Sequence, residues 1–190
     1  MQPAHRETQW SALVGHASTL RGGTVRGIDA RVQFGEPGIM LFQYVLRAEL
    51  SSLTLPTAQP AERADGLWRH TCFEAFLMAP GAARYYELNF APSRQWAVYR
   101  FDAYREGMST IRLDAPPEIS VRRLDDRLEV DAAVPLHELI ALQGAPRLRV
   151  ALSAVVEAES GTLSYWALKH APGKPDFHNP LCFVLELAMS

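Results

Sequence analysis

Cysteine is scarce: the 190-residue chain holds two, Cys72 and Cys182, each inside an apolar run. Two thiols so far apart make no cysteine metal site and no disulfide framework, and they read as buried, reduced side chains. Neither sign of charge is in excess. Nineteen Lys and Arg against 21 Asp and Glu leave a formal net charge of −2, and the arginines are spread along the whole chain. The clustered basic face that grips a phosphate backbone is missing, so nucleic acid is not an expected partner. No run approaches the roughly 18 to 20 apolar residues that span a bilayer as a helix. The segment from Met1 to Glu7 lacks the apolar core of a signal peptide, and a cytoplasmic location is expected. The P-loop, G-x-G-x-x-G, G-x-S-x-G and H-E-x-x-H patterns are also absent, so the chemistries they carry have no anchor here.

What is present is an ordinary globular composition, 48% hydrophobic and 21% charged, arranged with a period of two. Ile28, Ala30, Val32 and Phe34 alternate with polar residues, Glu36-Pro37-Gly38 turns the chain, and Met40, Phe42, Tyr44 and Leu46 share the next face. Pro56 to Gly66 reads as a loop. Arg69 to Met78, Arg84 to Phe90 and Gln95 to Phe101 form a meander, separated by Ala79-Pro80-Gly81-Ala82 and Ala91-Pro92-Ser93-Arg94. Asp102 to Pro117 loses periodicity and reads as a long connection. Ile119 to Arg123 and Leu128 to Ala132 flank an acidic hairpin turn. Pro135 to Leu142, with proline first and leucines at helical spacing, predicts one short helix. Leu148 to Glu157, Leu163 to Leu168 and Cys182 to Leu187 complete the set. About ten strands without alternating helices predict an all-β antiparallel sandwich in one domain, with residues 1–20 less ordered.

The meander holds the densest polar chemistry. With Pro80-Gly81 at the centre of a tight hairpin, Met78 faces Ala83 and Glu74 faces Glu87. One sheet face then gathers Glu74, Glu87 and Asn89, joined by Trp96 or Arg100 from the third strand. Opposed carboxylates repel unless an arginine, a metal ion or ligand hydroxyls compensate. The same pair is the one feature from which a two-carboxylate glycosidase could be built; the alternative is an exposed face on which Arg84 or Arg100 pairs the acids. Register decides, because a slip of one residue turns the set to the other face. Trp68, Trp96 and Trp166 are the second signal: aromatic walls with a few placed polar groups make a small-ligand site, and Trp68, Glu74 and Trp166 would form a clamp if they share a cleft. Taken singly, each tryptophan also fits a core or rim position. The third is His170 to Pro180, which sets His170, Asp176 and His178 among three prolines and a glycine. Those three could ligate a metal; the alternative is a stiff loop tying down the last strand.

Three stretches carry a resemblance: Trp68-Arg69-His70-Thr71-Cys72-Phe73-Glu74, Tyr85-Tyr86-Glu87-Leu88-Asn89-Phe90-Ala91-Pro92-Ser93, and Trp96-Ala97-Val98-Tyr99-Arg100-Phe101. Together with Tyr165-Trp166-Ala167-Leu168 and the segment Gly173 to Pro180, the chain from about residue 25 onward resembles the DOMON-like superfamily. That superfamily includes the family-9 carbohydrate-binding modules. The resemblance implies a sandwich of immunoglobulin-like or jelly-roll type that binds a sugar or haem. In the sugar-binding branch two tryptophans enclose the ring and a glutamate accepts its hydroxyls, and Trp68, Trp166 and Glu74 stand at matching places. The arginine of that set has no clear counterpart, and Glu87 stands on the strand that would carry it. Structural calcium is frequent in the branch, but no motif here specifies it. For haem, Met78, His170 and His178 are the available ligands.

The expected function is therefore a non-catalytic domain for a saccharide or other small polar ligand. Haem binding, a glycosidase using Glu74 and Glu87, a hydrolase using a metal on the terminal histidines, and an assembly module without ligand are the alternatives. No pattern sets an oligomeric state.

Overall fold

In the computed structural model, which describes residues 9–19 and 23–189, the period-two segments fold into one curled antiparallel sheet of 12 strands. Of residues 1–20, expected to be less ordered, 1–8 and 20 lie outside the described residues, and Ser11–Gly15 form the first strand, β1. It is followed by β2 (Val25–Phe34) and β3 (Ile39–Ala48), then by the meander β4 (Cys72–Met78), β5 (Tyr85–Phe90) and β6 (Trp96–Phe101). A two-residue strand β7 (Ser109–Thr110) lies within the aperiodic connection. The chain continues through β8 (Glu118–Arg123), β9 (Arg127–Pro135), β10 (Arg147–Glu157), β11 (Leu163–Ala167) and β12 (Leu185–Ala188). The sheet order is β7-β6-β5-β4-β10-β11-β1-β2-β3-β9-β8, with β12 beside β10.

The sheet folds back so that its two halves pack on each other. The rings of Tyr44 and Phe73 lie 5.0 Å apart and those of Phe42 and Phe90 5.5 Å apart. The Tyr44 hydroxyl donates to the Glu74 backbone carbonyl at 2.8 Å, satisfying a polar group that burial would otherwise strand. β1 closes the arrangement by pairing with β2 through Leu13 and Ile28 and with β11 through Val14 and Ala167.

The two halves differ in how they meet water. Along β2, β3 and β9 every second residue is buried, the mark of a sheet with one solvated face. On that face Arg31 donates to Gln43, which donates to Asp131. Along β4 and β5 every residue is buried. Leu77, Leu88 and Val98 face the central core, while Phe76, Tyr85 and Tyr99 face a second apolar layer with Phe177 and Phe183 of the segment before β12. That segment covers the outer face of the meander, and the site lies beside it.

Two local expectations need correction. Residues 135–142 do not form a helix: two 3-10 turns, Leu136–Glu138 and Ile140–Leu142, are separated at Leu139, whose φ of −97° and ψ of 65° leave the helical region while its side chain is buried. The start of β4 is also later than periodicity suggests, because Leu67–Arg69 form a 3-10 turn that swings Trp68 over the sheet. Among the described residues no helix is long and apolar enough to cross a membrane.

Candidate functional site

Register builds the site. In the β4–β5 pair Glu74 lies opposite Asn89, Phe76 opposite Glu87 and Met78 opposite Tyr85. The hairpin loop spans residues 79–84, longer than the tight turn expected from Pro80-Gly81, so each partner moves by two residues and parity is kept. Glu74, Glu87 and Asn89 therefore share one face, with the two glutamates as diagonal neighbours instead of a directly opposed pair. In the β5–β6 pair Glu87 meets Tyr99 and Asn89 meets Ala97. Trp96 and Arg100 pair with Phe90 and Tyr86 and so point to the other face. Trp96 is buried in the central core, and Arg100 lies 3.9 Å from Asp102. Neither joins the carboxylates.

On the shared face lies a cleft of about 660 Å³. Glu74 and Glu87 form its floor and are 3% and 5% exposed. Its apolar walls are Trp68, Phe101, Tyr165 and Phe177, with Arg105 and His178 at one side. Trp68 stands edge-on to Tyr99, with ring centroids 5.6 Å apart. The Tyr99 hydroxyl donates to Asp65 at 2.6 Å, which anchors the turn carrying Trp68.

Trp166 is not in this cleft. It pairs with Ala154 on β10, packs against the central core, and donates from Nε1 to Ser164 at 3.0 Å. It lines a different cavity, beside Gly15 and Leu163. Adjacent strand residues point to opposite faces, so the neighbour Tyr165 is the aromatic that reaches the carboxylates' side. The clamp of Trp68, Glu74 and Trp166 is thus replaced by Trp68, Glu74 and Tyr165.

The Glu87 carboxylate is tightly held. Asn89 donates from Nδ2 to Glu87 Oε1 at 2.8 Å, and His178 Nε2 stands 3.6 Å from Glu87 Oε2. The other nitrogen of His178 is 2.8 Å from the Tyr85 hydroxyl, which also accepts from the Arg105 backbone N–H at 3.2 Å. Burial, more than any other effect, raises the carboxyl pKa of Glu74 well above the ordinary range, and repulsion from Glu87 adds to it; Arg105 and the Ser153 hydroxyl oppose the rise. Burial raises Glu87 as well, against Asn89 and Arg105. Both shifts run toward the protonated form, so each carboxyl holds its proton to higher pH than a solvated one. His178 moves the other way, lowered to about 4 by burial and by the Arg105 charge, and it is neutral at pH 7.

Arg105 is the residue that periodicity could not find. It lies in the aperiodic connection at a positive φ of 57°, and its guanidinium is bound by Asp176 at 2.8 Å. Asp176 also accepts from the Tyr104 hydroxyl and the His178 backbone N–H. The third sequence signal thus separates. His178 lines the cleft and Asp176 holds Arg105 behind it, whereas His170 sits against His16, rings 4.9 Å apart, and bonds the Val14 carbonyl through Nε2. Among the described residues no group of three or more His, Cys, Asp or Glu is placed to hold a metal ion. Met78 ends β4 opposite Tyr85 and is buried in the outer apolar layer.

Comparison with known proteins yields fold neighbours. No family model matches the sequence, and no curated protein matches it. A crystal structure of a Bacteroides uniformis protein provisionally ascribed to carbohydrate binding superposes with a TM-score of 0.71 at 16% identity, covering 95% of this chain and 85% of that one. A family-9 carbohydrate-binding module from Caldicellulosiruptor kristjanssonii, solved with cellotriose, gives 0.50 at 12% identity, covering 87% and 74%.

Proposed function

We propose that the chain is a single non-catalytic binding domain, a β-sandwich of DOMON-like type, whose outer-face cleft takes a saccharide. The observation that carries this reading is the pairing of chemistries in one cleft: two buried carboxyls on the floor beneath the rings of Trp68 and Tyr165. A sugar presents an apolar ring face and a rim of hydroxyls, each both donor and acceptor. The rings offer flat apolar contact, and the two carboxyls offer several acceptors and, where protonated, a donor. The shared fold with a module that holds cellotriose supports the same reading. A cytoplasmic location remains the expectation from the sequence.

Arg105, Asn89 and His178 complete the polar set. Arg105 stands where a ligand oxygen would meet a cation, while Asn89 and His178 fix the Glu87 carboxyl so that its orientation is set before binding. The experiment is a titration of glucose, cellobiose, cellotriose and xylose, followed by tryptophan fluorescence and calorimetry. Saturable quenching by at least one sugar, lost in Trp68→Ala, is the expected result. Flat titrations through millimolar sugar for the whole panel would sink the proposal.

A further inference from the structure

The floor of the cleft can carry more negative charge than a neutral sugar uses. Glu74 and Glu87 occupy diagonal positions on adjacent strands, where long side chains roughly 7 to 8 Å apart at the backbone can converge on one atom. Among the described residues no Lys, Arg or His lies within ion-pair distance of Glu74, and the one that lies so near Glu87 is the uncharged His178, at 3.6 Å. The titratable groups around the pair are few. Cys72 on β4 and Tyr44 on β3 stay protonated through burial, and Tyr85 on β5 and Tyr99 on β6 are likewise raised. His178 is neutral. Arg105 is the one cation acting on both glutamates, and its guanidinium is committed to Asp176. Arg69 lies at the exposed rim.

We infer that the cleft selects a saccharide bearing a primary ammonium over its neutral or N-acetylated counterpart, with the ammonium held between Glu74 and Glu87. This rests on the saccharide reading above. An ammonium has three donors and no acceptor, so two carboxylates and one further oxygen satisfy it. The rings of Trp68 and Tyr165 tolerate a cation beside them through their electron-rich faces. Binding then has a proton signature. Burial favours the protonated carboxyls in the free protein and an ammonium favours the ionised ones, so binding breaks a carboxyl O–H and the proton passes to the buffer.

The test is calorimetry of glucosamine, glucose and N-acetylglucosamine near neutral pH, in two buffers of different ionisation heat, with cellotriose and ethanolamine as controls. Glucosamine is expected to bind about tenfold tighter than the other two monosaccharides, the difference between a charge-assisted and a neutral hydrogen bond. Its binding should release protons and strengthen as pH rises, until the amine itself deprotonates. Glu74→Gln should bring glucosamine to the level of glucose while leaving the unfolding transition sharp; Glu87→Gln serves if that variant does not fold. Glucose binding as tightly as glucosamine, or binding of glucosamine without proton release, overturns the ammonium selectivity and leaves saccharide binding standing. Ethanolamine matching glucosamine overturns it too, because the site then reads an amine without a sugar. Silence from all sugars, cellotriose included, removes both this inference and the reading beneath it.

Discussion

Arg105 donates from Nη2 to Oδ1 of Asp176 across 2.8 Å, joining the loop after β6 to the segment before β12 beside the cleft. Asp176 holds that position with three sets of donors: the Arg105 guanidinium, the Tyr104 hydroxyl and the His178 backbone N–H. The Arg105 side chain is half exposed, so the charge pair alone is worth little. The network is worth more than the pair. Asp176→Asn should cost about 1 to 2 kcal/mol in urea unfolding and weaken sugar binding by freeing Arg105. Unchanged affinity together with unchanged stability would show that the two loops are held by packing alone.

The tryptophans should separate in a binding assay. Trp68→Ala removes a cleft wall and should abolish sugar-dependent quenching. Trp166→Phe should leave binding within about twofold and lower stability by roughly 1 to 2 kcal/mol, the cost of trimming a partly buried ring and losing its bond to Ser164. Tyr165→Ala, one residue away, should behave like Trp68→Ala. Loss of binding in Trp166→Phe with binding intact in Tyr165→Ala would refute the face assignment.

Much of this was legible in residues 72–90, because the alternation there is long enough to settle which side chains share a face. Glu74, Glu87 and Asn89 fall together on any register of the right parity. Trp96 and Arg100 did not follow because the loop between β5 and β6 spans residues 91–95, one residue longer than Ala91-Pro92-Ser93-Arg94, which inverts the parity; Trp166 did not because it pairs with Ala154, the neighbour of the Ser153 that lies opposite Glu74. Tyr165 could have been found by applying the same parity to β11, since choosing Trp166 leaves its neighbour for the opposite face. Arg105 had no such signal. It reaches the cleft from an irregular segment at a left-handed backbone position, which no period describes. β1 is short and has only one fully buried residue, Leu13, so its alternation is too weak to read.

Acid should destabilise the fold through His178. Its folded pKa, about 4, lies below the unfolded value near 6.5, so the native state resists protonation. The stability this group contributes is present above pH 6.5 and is lost as pH falls toward 4, on the order of 3 kcal/mol. His178→Gln should flatten the fall in unfolding free energy over that window. An equally steep fall in the variant would place the acid sensitivity elsewhere.

Alkali should act through the glutamates in the opposite sense. Both folded pKa values are raised above the unfolded value, so their contribution is fully present in acid and is lost as pH rises through the folded values. Glu74→Gln keeps the shape and removes the charge. It should raise the melting temperature relative to the parent at pH 8 and leave the two alike at pH 4. A variant less stable than the parent at pH 8 would contradict the buried, charge-averse floor.

β1 lies between two strands that are far apart in the chain: Leu13 pairs with Ile28, and Val14 with Ala167. A ribosome-bound chain can form the first ladder early, but the second must wait until nearly all of the sequence has been made. Closure of the sheet is therefore a late, long-range event, of the kind that slows folding and leaves strand edges open meanwhile. The half-made protein, with β2 and β3 paired and β11 still unsynthesised, is the species most exposed to wrong partners during biosynthesis.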